Sequence, residues 1–168
     1  PASYSLVEYH REKYVFPDNG RIVIADMPSL PIPKGEADAT MLAHITVSKY
    51  VDHLPFYRQT KMMAREGINI AESTMNGWFD ATCRLLEPLY NHLCQRIIES
   101  HYIQADETTM PVQTNEKKGT THTGFLWDFF SPPEGLLCFI YDKSRGSNVP
   151  ITFLKDFSGA LQTDGYTA

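Results

Sequence analysis

The feature that most constrains this fold is a change of hydrophobic periodicity near Ser100. From Glu36 to about Ser100, apolar residues recur at the three- and four-residue spacing of amphipathic helices. After Ser100, short segments alternate apolar and polar residues, as strands with one buried face do. Helices followed by strands favour an α+β fold, and we predict one.

Turn signals divide the helical part into three helices. Pro55 suits the first turn of a second helix, which is expected to end at Arg65 ahead of Gly67. Residues 69–73 offer capping side chains for a long third helix. Two helices joined by a short glycine-containing turn predict a helix-turn-helix-like pair within residues 36–100.

Residues 1–35 are predicted to form an extended arm. Two β-prone runs flank Pro17–Gly20, which predicts a hairpin. Pro28, Pro31 and Pro33 then favour polyproline-like chain up to the helical region.

Residues 101–168 are predicted to form the sheet. The expected strands are 102–106, 124–131, 136–142 and 160–164, with a short helix at 148–157 before the last strand. The order β-β-β-α-β, with an aspartate ending the first and last strands, is the start of a ribonuclease-H-like mixed sheet.

Asp106 and Asp164 are the candidate catalytic residues. Each closes a Gln-x-Asp segment at the end of a predicted strand. If the two strands pair in parallel, as the intervening helix suggests, both carboxylates meet at one sheet edge. Adjacent carboxylates repel each other, and a divalent cation between them relieves that repulsion. The alternative is that both are ordinary strand-end acids.

Three other acidic residues receive structural interpretations. Glu107 follows Asp106 directly and so points to the opposite face of its strand. Asp128 and Asp142 are interpreted as solvated sheet-face or turn residues.

Arg58, Lys61 and Arg65 are candidate DNA-binding residues. Their spacing puts them on one helix face, with no acidic residue between His53 and Arg65. The whole chain has a net charge of −5, so any DNA contact needs such a local patch. These side chains would contact phosphates. The alternative is a solvated face of a core-packing helix.

Composition argues against membrane-spanning, secreted and zinc-binding proteins. No apolar run reaches the length of a membrane span. Three cysteines without a C-x-x-C pair favour a reduced, cytoplasmic protein. The six histidines show no metal-ligand spacing, so no zinc site is predicted.

Several strings of residues resemble transposases of the insertion-sequence-sixty-six family. They occur in family order from about residue 28 to the end: P-I-P-K-G (31–35), A-H-I-T-V-S-K-Y-V-D-H-L-P-F-Y-R-Q (43–59), G-I-N-I-A-E-S-T-M-N-G-W (67–78), Q-A-D-E-T (104–108) and F-L-K-D-F-S-G-A-L-Q-T-D-G-Y (153–166).

The resemblance implies a ribonuclease-H-like catalytic domain of the Asp-Asp-Glu type. Such a protein cleaves the ends of a mobile DNA element and joins them to target DNA, using Mg²⁺ or Mn²⁺. Asp106 matches the first catalytic, metal-binding Asp and Asp164 the second. DNA is the implied partner.

The sequence departs from the family pattern in two ways. It has no cysteine before Cys83, where members usually carry a Cys-rich segment, and it stops at Ala168, ahead of the expected third acid. We therefore expect an inactive fragment with weak or absent metal binding. Glu107 and Asp128 are the first candidates for a substitute ligand. An unpaired edge on the fourth strand predicts a homo-oligomer.

Two other functions fit the sequence. One is a non-enzymatic DNA-binding module built on the helices, with vestigial acids at the strand ends. The other is a related nuclease that hydrolyses DNA without joining it.

Overall fold

The structure is a computed structural model that describes residues 3–33, 35–114 and 119–165. The described part has the predicted α+β class. Its elements in chain order are β1 (Lys13–Val15), β2 (Ile22–Ile24), α1 (Ala39–Tyr50), α2 (Phe56–Arg65), α3 (Glu72–Ile98), β3 (Tyr102–Gln113), β4 (Thr121–Ser131), β5 (Leu136–Asp142), α4 (Asn148–Phe153) and β6 (Ala160–Gln162). Lys34 and Tyr166, which belong to the family-like strings, lie outside the described residues.

The chain divides into two compact units, residues 1–83 and 84–168. The division falls inside α3, so one long helix contributes to the core of both units. Met75, near its start, is fully buried among the N-terminal helices. Ile97, near its end, is fully buried against the sheet.

The predicted hairpin of the N-terminal unit is confirmed. β1 and β2 pair antiparallel, and Gly20 takes a positive φ of 65° in the turn between them. The proline-rich stretch is not extended throughout, because Gly35 N donates to Ile32 O at 2.9 Å and closes a turn.

Helices α1, α2 and α3 share one apolar core. Asp38 caps α1, since its Oδ1 accepts a hydrogen bond from Met41 N at 2.8 Å. Gly67 lies in the turn between α2 and α3 with φ +84°, a conformation that glycine adopts without strain. The buried side chains of this core are Ile45, Phe56, Met63 and Met75.

The C-terminal unit is built on a mixed four-stranded sheet of order β5-β4-β3-β6. β4 pairs antiparallel with both β3 and β5, while β6 runs parallel to β3. The predicted β-β-β-α-β order and the parallel pairing of its first and last strands are confirmed. The buried side chains of its core are Ile97, Ile103, Trp127, Phe129 and Cys138.

The ends of several elements differ from the predicted ones. The β3–β4 ladder extends to Gln113 and Thr121, well beyond the predicted strand ends. β6 stops at Gln162 instead of reaching Asp164, and just beyond it Thr163 Oγ1 accepts from Gly165 N at 3.3 Å. α4 ends at Phe153, and further turns lead the chain towards β6.

Candidate active site

The pairing of β3 with β6 aligns the two Gln-x-Asp segments. Tyr102 lies opposite Ala160, and Gln104 lies opposite Gln162. Continuing this register by two residues aligns Asp106 with Asp164. Asp106 is within β3, whereas Asp164 is exposed and lies two residues beyond the end of β6.

The glutamines of the two segments are in direct contact. Gln104 Nε2 donates to Gln162 Oε1 at 3.1 Å, and the Tyr102 hydroxyl donates to the same oxygen. Gln104 Nε2 also donates to the Tyr102 hydroxyl at 3.1 Å. These bonds hold the register two residues before each aspartate. The sequence showed the repeated Gln-x-Asp segment but assigned no role to its glutamines.

A further aspartate lies beside Asp106. Asp128 of β4 is directly opposite Asp106 in the antiparallel ladder, so both side chains are on the same sheet face. Asp128 is half-buried, and burial followed by the negative charge of Asp106 raises the pKa of its carboxyl above the ordinary value. Its position beside Asp106 depends on the β3–β4 register, which strand alternation alone does not give.

The other acidic residues lie where the sequence interpretation put them. Glu107 is on the opposite sheet face, where its side chain is only 7% exposed and Oε1 accepts from Arg145 Nε at 2.7 Å. Asp142 forms a turn at the end of β5, because its Oδ1 accepts from Ser144 N at 2.8 Å. Hydrogen bonds from the Ser144 amide and hydroxyl lower the pKa of Asp142.

The chemistry of these side chains suits a hard divalent cation. Carboxylate oxygens are the protein ligands that Mg²⁺ prefers, and one or two of them suffice when substrate phosphates complete its shell. Burial, and after it the negative charge of Asp106, raises the pKa of Asp128, and a bound cation would offset that charge. Within residues 3–33, 35–114 and 119–165, however, no three Asp, Glu, His or Cys side chains are grouped closely enough to hold a metal ion.

The three candidate DNA-binding residues share an exposed face of α2. Arg58, Lys61 and Arg65 are all exposed. The buried residues of the same helix, Phe56, Gln59 and Met63, lie on the opposite side. The Arg58 guanidinium and the Lys61 ammonium lie 6.0 and 5.7 Å from the Tyr57 ring centroid. The position of this face is as predicted, and its binding role stays a prediction.

Comparison with known proteins identifies the family. The model of the Transposase IS66 family matches residues 34–168. Uncharacterized protein y4qI of Sinorhizobium fredii (strain NBRC 101917 / NGR234) is 32% identical over 177 residues, covering 100% of this chain and 32% of that relative. Uncharacterized protein y4jD of the same strain is 32% identical over 158 residues, covering 90% of this chain and 30% of the relative.

The chain therefore spans about a third of the length of the curated relatives it matches. No solved structure matches it. In the part of the chain that the structure describes, no helix is long and apolar enough to cross a membrane.

The extent of the family match and the level of identity lead to one conclusion: the chain belongs to the IS66 family of transposases.

Proposed function

We propose that this chain carries two metal-binding carboxylates, Asp106 and Asp164, of a transposase that cleaves and joins DNA strands by phosphoryl transfer. The observation that supports this most is the parallel β3–β6 pairing, which aligns the two Gln-x-Asp segments. The proposed activity is that of a whole transposase. This chain covers about a third of the length of the relatives that it matches.

Each residue at this edge of the sheet has a distinct task in the proposal. Mg²⁺, when bound, activates the attacking oxygen and stabilises the leaving oxygen of the DNA phosphate. Asp106, within β3, and Asp164, two residues beyond the end of β6, supply oxygen ligands. Gln104 and Gln162 keep those strands in register through their hydrogen bond. Asp128 adds negative charge beside Asp106 and so increases the attraction for cations.

Paramagnetic broadening by Mn²⁺ tests the proposed site directly in residues 1–168. We expect Mn²⁺ to broaden the amide NMR signals around Asp106 and Asp164 first, and Asp106→Asn to abolish the effect. Asp142→Asn is the matched control, because Asp142 ends a strand of the same sheet but is engaged in a turn. Broadening that survives Asp106→Asn, or that centres elsewhere, contradicts the proposed site.

A second candidate function is DNA binding by the helices alone. The N-terminal unit supports it, since its helices have their own buried core and α2 presents three basic side chains. In this candidate Arg58, Lys61 and Arg65 contact phosphates, whatever the sequence of the duplex.

Salt dependence of DNA binding tests the phosphate contacts. Replacing one of the three residues by Ala should weaken binding to specific and random duplexes alike and reduce the salt slope by about 1. Lys155→Ala is the control, because Lys155 is an exposed cation of the C-terminal unit. An unchanged slope favours a merely solvated face, and a loss confined to one sequence means that these residues read bases.

A nuclease that hydrolyses DNA without joining it would use the same carboxylates. Strand-transfer assays on a full-length protein with labelled element ends distinguish the two reactions, because only a transposase gives joined products.

A further inference from the structure

The first turns of α3 present an exposed polar face outside the buried core. Met75 is fully buried, and Trp78 and Phe79 pack against the same core. Helical periodicity puts Ser73 and Gly77 on the side of α3 opposite Met75, with Asn76 on the flank next to them. All three are exposed. We call these three residues the α3 outer face.

Gly77 is not explained by the packing of the chain. A Cβ built on it meets nothing within 4 Å, so alanine would fit there. Glycine inside a helix is less stable than alanine, and folding alone therefore favours a larger residue. A helical glycine at an open surface is instead what a second molecule needs in order to approach the backbone closely.

The basic face of α2 lies next to the start of α3. Thr60 and Lys61 line a shallow depression of about 350 Å³ together with residues 69–71, which lead directly into α3. Lys61, one residue of this basic face, therefore lies beside the segment that leads into α3. Asp80 lies about one turn further along the same side of α3. Its negative charge, like that of the exposed Glu72 at the start of the helix, disfavours phosphate contacts at those two positions.

The N-terminal unit has the parts of a helix-turn-helix DNA-binding motif. Three helices pack together, the turn before α3 contains a glycine with positive φ, and the basic helix α2 precedes α3. In helix-turn-helix proteins the second helix of the pair enters the major groove, while the helix before it crosses the backbone. We propose that the α3 outer face enters the major groove, where Asn76 reads a base edge and Gly77 allows close approach. This inference rests on the proposed action of the chain on DNA.

The chemistry of Asn76 suits this role. Its side-chain amide offers both a donor and an acceptor, which match the N7 and N6 positions of adenine. In the structure Asn76 Nδ2 donates to the Glu72 carbonyl oxygen at 2.8 Å. That bond is exposed, so water or a base edge can replace it.

A binding experiment on residues 1–168 tests base reading. Duplexes are selected from a random pool by the wild-type chain, and affinities for a selected and a scrambled duplex are then measured by fluorescence anisotropy. Asn76→Ala should weaken binding to the selected duplex by about 5- to 150-fold and leave the scrambled duplex nearly unaffected. Asn91→Ala, an exposed asparagine later on the same helix, is the matched control and should change neither.

A second variant, Gly77→Leu, should raise the melting temperature and lower the affinity for DNA. Leucine is a good helix former, and the space around Gly77 is open, so the melting temperature should rise. The bulky side chain should at the same time reduce affinity for the selected duplex. A stable variant that binds worse separates the surface role of Gly77 from any role in folding.

Three results overturn the inference. They are a pool in which no sequence is enriched, an equal loss on both duplexes in Asn76→Ala, and unchanged DNA affinity in Gly77→Leu. The Mn²⁺ experiment on Asp106 is independent of these results, so failure of the catalytic proposal and failure of base reading are distinguishable.

Discussion

Adjacent residues Asp106 and Glu107 show how strand geometry separates two carboxylates. Asp106 is exposed on the sheet face that it shares with Asp128. Glu107 is nearly buried on the other face and is paired with Arg145. Because successive side chains of a strand alternate between faces, one carboxylate is exposed beside Asp128 and the other is paired with Arg145 on the opposite face.

The Glu107–Arg145 ion pair should contribute measurably to stability. Arg145→Met leaves a carboxylate that is 7% exposed without its guanidinium, and we expect a loss of about 1–3 kcal/mol in the free energy of unfolding. The matched control is Arg96→Met, whose partner Glu134 is 32% exposed, with an expected loss under about 1 kcal/mol. Urea denaturation at pH 7 measures both. Equal losses would contradict the role assigned to burial.

Asp128 should lower stability at neutral pH. Burial, and then the charge of Asp106, raises its pKa above the ordinary 3.8, so the folded chain holds this proton more tightly than the unfolded chain. The free energy of unfolding therefore falls as the pH rises from the pKa of Asp128 in the unfolded chain to its higher pKa in the folded chain. Without divalent cations, Asp128→Asn should be more stable than wild type at pH 7, by less than about 1 kcal/mol because the half-buried carboxyl keeps part of its contact with solvent.

Urea denaturation across the pH range measures the difference in unfolding free energy between Asp128→Asn and wild type. This difference should shrink towards zero below the ordinary pKa of the carboxyl. Asp142→Asn should instead be less stable than wild type at pH 7. Bonds from Ser144 lower the Asp142 pKa, so its charged form stabilises the fold at pH 7. An Asp128→Asn variant less stable than wild type at pH 7 would contradict the assignment.

At the scale of elements, the short strand β6 depends on one close backbone approach. A Cβ at Gly159 would lie 2.4 Å from the His101 carbonyl oxygen. The same oxygen accepts a hydrogen bond from Ala160 N at 2.9 Å. Only glycine allows the chain to enter the β3–β6 ladder at this distance, so Gly159 sets where β6 begins.

Gly159→Ala should therefore disrupt the β3–β6 pairing, which puts Gln104 opposite Gln162. We expect a loss of about 1–3 kcal/mol in unfolding free energy, because the methyl group forces the backbones apart. Hydrogen exchange should show lost protection at Ala160 N. Gly146→Ala is the control, since its nearest neighbour is Ser144 Oγ at an ordinary 3.5 Å. Retained protection in Gly159→Ala would show that β6 tolerates the side chain.

For the whole molecule, we expect residues 1–168 not to nick duplex DNA at any Mg²⁺ or Mn²⁺ concentration. Two-metal phosphoryl transfer needs fixed oxygen ligands for both ions. In our proposal Asp106 and Asp164 hold one ion, and within the described residues no group of three Asp, Glu, His or Cys side chains supplies a full site. A plasmid-nicking assay with Asp106→Asn as control measures this. Nicking that Asp106→Asn abolishes would show that another ligand of the chain, with Asp128 the first to examine, completes the site.

Local periodicity was enough to derive much of this molecule from its sequence. The change near Ser100 predicted helices followed by strands, and β5 has the predicted bounds of 136–142. Arg58, Lys61 and Arg65 had to share a face, and Asp106 and Glu107 had to lie on opposite faces. These conclusions depend only on the repeat of a helix or a strand, which neighbouring residues determine.

The tertiary structure decided which residues face one another across strands. The pairing of Asp128 with Asp106 follows from the β3–β4 register, and the Gln104–Gln162 hydrogen bond from the β3–β6 register. The close contact of Gly159 with His101 joins residues 58 positions apart in the chain. Register depends on packing and hydrogen bonds between distant segments, and a shift of one residue would reverse every face. The sequence therefore named Asp106, Asp164 and, as a candidate substitute ligand, Asp128, while only the folded sheet put Asp128 opposite Asp106 and joined the two glutamines.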